Sequence, residues 1–88
     1  MPSAPPPDDW VLTRRRAVGN RIRELRLWRN LSQERLAERC GVDRQTVNRI
    51  EMGHQAATID TLIRIAQALA VPLTDLVRGL GSPLPPEE

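Results

Sequence analysis

Twice in close succession the chain sets an apolar residue, a capping residue and, four positions past the cap, a second apolar residue: Leu31, Ser32 and Leu36, then Val42, Asp43 and Val47. A Ser or Asp side chain accepts from the free backbone N–H groups of a first helical turn, and apolar side chains on either side of the cap close over it. Each set therefore opens a helix. Gly41 lies between them, where a glycine ends a helix by entering the left-handed region without steric cost. The result is two short helices, about Gln33 to Cys40 and a second starting at Arg44, joined by a turn of about three residues centred on Gly41.

The remaining elements follow from helical periodicity. Val18, Ile22, Leu25 and Trp28 make one apolar stripe on a first helix running from Thr13 to near Asn30, with its arginines outward. After Met52, Gly53 with His54 and Gln55 makes a loop, and Thr58 caps a fourth helix with Ile59, Leu62, Ile63, Ala66 and Leu69 on its inner side. Pro72 ends that helix, and a last one runs from Leu73 to about Leu80, stopped by Gly79, Gly81 and Pro83. The fold class is all-α, with five helices, no strand and no internal repeat. Seven of the eight prolines lie at the two ends, so the expected organisation is a flexible Pro-rich arm over 1–12, a helical domain over 13–80 and a flexible tail over 81–88. Trp10 and Val11 are the arm's candidates for docking back on the domain.

Charge is distributed unevenly. The whole chain carries a formal +2, but the helical domain holds all thirteen arginines against seven acids, a net of +6. Such an excess favours a polyanionic partner. There is no lysine, which fits either genome composition or the forked guanidinium geometry suited to phosphate and guanine. Cys40 is the only cysteine, which rules out an intramolecular disulfide and suits a small buried apolar residue. A single histidine without a partner at ligand spacing argues against a metal site, and with no nucleophile–base pair or phosphate-binding glycine loop the chain is not expected to be an enzyme or to need a cofactor. No apolar run is long enough to span a membrane and no signal peptide is evident, so the expectation is a cytoplasmic, nucleoid-associated protein.

On the helix that starts at Arg44, the side chains of Arg44, Gln45, Asn48 and Arg49 fall on one face at about 100° per residue, while Val47 and Ile50 point the other way. Arg donates two bonds to guanine O6 and N7, and Gln and Asn pair with adenine N6 and N7. The four positions contain no acid. By itself the face fits base reading or an ordinary solvated surface.

The run SQERLAERCGVDRQTVNRIEMG resembles the helix-turn-helix signature of the Cro and phage-repressor family, also called the xenobiotic response element family. Ser32, Gln33, Leu36, Ala37, Gly41, Val42, Val47, Ile50, Glu51 and Gly53 carry the match; RIRELR resembles the family's first helix, and TIDTLIRIAQAL followed by VPLTDLV its fourth and fifth. The resemblance implies a five-helix, phage-repressor-like domain that binds double-stranded DNA, with the helix of about 44–52 in the major groove. Arg44, Gln45 and Arg49, with Asn48 beside them, are then base readers. Gln33 is implied to bond a phosphate and to brace the reading helix through Gln45. Ser32, Thr46, His54 and Gln55 join it as phosphate contacts, although His54 also fits a plain exposed loop side chain. Arg26 and Glu51 match a partly buried ion pair tying the first helix to the end of the third. Arg14, Arg15 and Arg16 fit flanking phosphates or simple solvation. Two positions depart from the pattern: Ala70 stands where a glycine usually closes the fourth helix, and Trp28 is large for the end of the first.

One such unit reads half a site, so a homodimer on a palindromic operator is expected, with exposed members of Leu76, Val77, Leu80 and Leu84 as candidate contacts; the same leucines could instead close the core of one subunit. The functional expectation is a sequence-specific transcriptional regulator, a controller of a restriction-modification operon being one version of it. The alternative is an antitoxin or other interaction module that also holds a partner protein.

Overall fold

The computed structural model describes residues 8–78. Within them lie five helices and no strand: α1 Asp9–Trp28, α2 Gln33–Cys40, α3 Arg44–Glu51, α4 Ile59–Leu69 and α5 Thr74–Val77. The three capping side chains read from the sequence are in place, Ser32 accepting from the Arg35 N–H at 3.0 Å, Asp43 from Thr46 at 2.7 Å and Thr58 from Thr61 at 3.1 Å.

Four consecutive helices end in one way. Asn30, Gly41, Gly53 and Ala70 have φ of 57, 72, 75 and 57°, and the residue after each donates its N–H back into the last turn, Leu31 to Arg26, Val42 to Ala37, His54 to Arg49 and Val71 to Ala66. This is the paired hydrogen-bond closure that satisfies the last carbonyls of a helix. Ala70 thus adopts the left-handed conformation without being glycine. Arg29 supports the same helix end by donating from Nε to the Leu69 carbonyl at 2.8 Å and from NH2 to that of Ala70 at 3.1 Å. Its guanidinium lies 4.5 Å from the centre of the Trp28 ring, and Trp28 itself is exposed at the rim of the domain.

Ile22, Leu36, Val47, Ile65, Leu69 and Leu76, drawn from all five helices, are fully buried. α3 packs on α1 and α2, α4 on α2, and α5 on α1 and α4. The approach of α1 to the end of α3 depends on Gly19: a Cβ there would lie against the Ile50 carbonyl oxygen and 2.6 Å from that of Glu51. Gly53 has a similar constraint, since a Cβ would strike the Arg16 side chain.

Three expectations are corrected. Helix α1 begins at Asp9, not Thr13, so residues 9–12 are helical rather than part of a flexible arm. The Asp8 carbonyl accepts from Leu12 at 3.1 Å, and Asp9 in the first turn suits the positive end of the helix dipole. Trp10 is half exposed on this turn, and Val11 is half-buried. On α4, Ile59 and Ile63 are exposed, and the inner side is formed by Leu62, Ile65, Ala66 and Leu69. Finally, Leu76 is fully buried and takes the core role, leaving Val77, 41% exposed, as the described member of the apolar C-terminal set that reaches solvent. Leu80 and Leu84 lie outside the described residues.

Candidate nucleic-acid interface

Helix α3 is short enough that each side chain has one assignment. Val47, Ile50 and Glu51 are buried, which turns Arg44, Gln45, Asn48 and Arg49 outward, and these four line a single concavity. Arg44, Gln45 and Arg49 are exposed, and the one contact among them is a long 3.5 Å bond from Arg49 NH2 to Gln45 Oε1. Asn48 is half-buried and sits at the border between this face and the fold.

At that border lies a hydrogen-bonded network. Arg26 and Glu51 form a buried two-bond ion pair, Nε to Oε2 at 2.7 Å and NH2 to Oε1 at 3.0 Å. Arg26 NH1 also donates to the Leu31 carbonyl at 2.8 Å, so the pair ties the end of α1, the start of the α2 segment and the end of α3 together. Gln33 donates from Nε2 to Glu51 Oε1 at 3.1 Å, and its Oε1 accepts from Asn48 Nδ2 at 3.5 Å. The brace from Gln33 to α3 therefore runs to Asn48 and Glu51, not to Gln45. Both partners lie on the edge of α3 that faces the start of α2, whereas Gln45 is rotated away from it. Among the described residues no buried side-chain polar atom lacks a partner.

The phosphate candidates occupy three places. Ser32 and Gln33 stand at the N-terminus of α2, Ser32 exposed and Gln33 half-buried. Thr46 is half-buried in the first turn of α3, where its N–H is taken by Asp43. That bond and the Thr46 side chain hold the Asp43 carboxyl below its ordinary range, so an anionic cap already occupies the start of α3. His54 is exposed in the loop after α3, whereas Gln55 turns towards α1 and lines a shallow apolar groove with Val11, Arg14, Arg15 and Leu62. Cys40 is buried in the core, and that burial pushes its thiol up, with Arg64 acting in the opposite direction. Among the described residues no helix is long and apolar enough to cross a membrane.

A helix-turn-helix family model matches residues 22–76, which span most of this architecture. The chain belongs to the helix-turn-helix family of DNA-binding transcription regulators, in the branch of Cro and the phage repressors. It is 42% identical over 66 residues to an uncharacterized transcriptional regulator in the ATPase CF(0) region of Rhodospirillum rubrum, over 70% of this chain and 61% of that protein. Against the control protein C.BamHI of Bacillus amyloliquefaciens identity is 37% over 60 residues, covering 67% of this chain and 74% of the relative. The crystal structure of the restriction-modification controller protein C.AhdI from Aeromonas hydrophila is similar with a TM-score of 0.69 and 36% identity, over 69% of this chain and 92% of that one. The chain thus spans less than two thirds of the Rhodospirillum rubrum protein's own length.

Proposed function

We propose that this protein is a sequence-specific transcriptional regulator that binds a palindromic duplex operator as a homodimer, placing α3 in the major groove of each half-site. The observation that carries this reading is the concavity of Arg44, Gln45, Asn48 and Arg49, four base-pairing side chains without an acid among them, on the outer face of a helix whose other face is buried. Arg44 and Arg49 suit guanine, and Gln45 and Asn48 suit adenine. Gln33, Ser32, Thr46 and His54 supply phosphate contacts that position the helix, with Gln55 beside them in the loop.

A single domain reads half a site, and two placed about 34 Å apart on one face of the duplex give useful affinity and specificity. The pairing surface is formed by α4 and α5, which pack on each other and expose Ile59, Ile63 and Val77. Occupancy of the operator then blocks or recruits polymerase.

The test is selection from random duplexes at two salt concentrations, followed by sequencing of the retained DNA. A palindromic motif is expected, with affinity falling steeply as salt rises. Arg44→Ala and Arg49→Ala each remove discrimination of about 1–3 kcal/mol at one position per half-site. Retention without sequence preference, or a salt-independent complex, overturns the reading and directs attention to a protein partner.

A further inference from the structure

The network beneath α3 has a chemical direction. Glu51, locked against the Arg26 guanidinium, is a carboxylate that only accepts hydrogen bonds. Gln33 must therefore turn its NH2 group towards Glu51, as it does at 3.1 Å, and this leaves its Oε1 facing Asn48. An acceptor on Gln33 in turn requires a donor on Asn48, so Nδ2 lies on the Gln33 side. Reversing the Asn48 amide would set two carbonyl oxygens against each other. One Nδ2 hydrogen is used in this way, and the second, with Oδ1, forms an acceptor–donor edge on the rim of the concavity shared with Arg44, Gln45 and Arg49.

We propose that Asn48 is a base-reading residue specific for adenine, and that Gln33 is its positioning residue, carrying the orientation set by the buried Arg26–Glu51 pair out to the reading face. This rests on the DNA-reading function proposed above. The acceptor–donor edge matches adenine, whose N6 donates and N7 accepts, whereas guanine offers two acceptors on the same edge. A free Asn amide can rotate by half a turn, which exchanges the positions of its donor and acceptor; the contact with Gln33, itself bonded to Glu51, favours one of the two orientations. Gln33 thereby couples the fold to the choice of base, a role separate from any phosphate contact it makes.

The experiment compares motifs selected from random duplexes by the full chain and by Asn48→Ala and Gln33→Met. The wild-type motif is expected to contain one adenine-dominated position per half-site whose preference falls roughly tenfold or more in both variants, while positions that depend on Arg44 and Arg49 stand. Loss of a phosphate contact at Gln33 lowers binding to all sequences alike and leaves relative preferences intact, so a flattened adenine position is a readout that neither a phosphate role nor a purely structural role produces. Thermal melting of each variant establishes that it is folded. Should Gln33→Met not fold, the free wild-type protein supplies the measurement: a nuclear Overhauser contact between the Asn48 and Gln33 side-chain amides is expected, and its absence overturns the relay. A wild-type motif in which the Asn48-dependent position is not adenine, or in which Gln33→Met keeps the adenine preference, overturns the inference and leaves the regulator reading intact. Absence of any motif removes both.

Discussion

The polar side chains of α3 fall into two sets that differ sharply. Glu51 is buried and bonded by Arg26 and Gln33, and half-buried Asn48 meets Gln33 at 3.5 Å. Arg44, Gln45 and Arg49 are exposed, and the one contact among them is also of 3.5 Å. A helix of eight residues thus uses Glu51, with Asn48 beside it, to hold the fold and leaves the exposed set to solvent. Polar side chains on a short helix divide in this way because a buried charge must be paired, whereas an exposed one is already satisfied by water.

That division predicts a graded response to substitution. The largest effect falls on Glu51→Ala, which leaves the Arg26 guanidinium buried without its counter-ion and is expected to cost about 3–5 kcal/mol. Against a net stability on the order of 5–10 kcal/mol for a domain of this size, chemical denaturation should register the loss as a marked drop in midpoint. A wild-type midpoint would show that the bonded set contributes nothing and would erase the comparison. Next comes Gly19→Ala, which pushes a methyl against the carbonyls of Ile50 and Glu51. Backbone oxygens cannot rotate aside as side chains do, so overpacking of about 1–3 kcal/mol is expected, measurable as a fall in Tm and as weaker DNA binding if α3 is displaced.

A substitution remote from both sets gives the scale. Ala70→Gly relieves a left-handed alanine at the end of α4 and should stabilise the fold by about 0.5–1 kcal/mol, raising Tm by a few degrees without altering DNA preference. An unchanged or lower Tm would mean that the larger conformational entropy of glycine in the unfolded chain offsets the relief at residue 70. Smallest of all is the effect on stability of Arg44→Ala and Arg49→Ala, expected within about 0.5 kcal/mol of wild type even as DNA selectivity is lost. A large fall in Tm for either would place that arginine with the bonded set.

The parts of this arrangement that were legible in the sequence are local. Ser32, Asp43 and Thr58 announce their helices because a cap and the N–H it satisfies lie within three residues of each other, and Gly41 marks its turn by the same economy. Less legible was the rotation of α4. Ile59, Leu62, Ile63, Ile65, Ala66 and Leu69 spread over about 160° of its circumference, an arc wide enough for periodicity alone to permit more than one inner stripe; packing against α2 selects the one that buries Ile65 and leaves Ile59 and Ile63 outside. The start of α1 was hidden for another reason. The proline-rich approach masked a first turn that Asp9 favours through the helix dipole.

The sequence by itself determined the number and order of the helices, the caps of α2, α3 and α4, the turn at Gly41 and the set of side chains on the outer face of α3, since each depends on neighbours along the chain. Only the tertiary structure decided which of those side chains are free. Gln33 and Asn48 are fifteen residues apart, and Arg26 and Glu51 twenty-five; no local pattern specifies whether an amide so placed meets another amide, a carboxylate or water. Packing of α1, α2 and α3 brings them together, and the directionality of hydrogen bonding then assigns each its orientation.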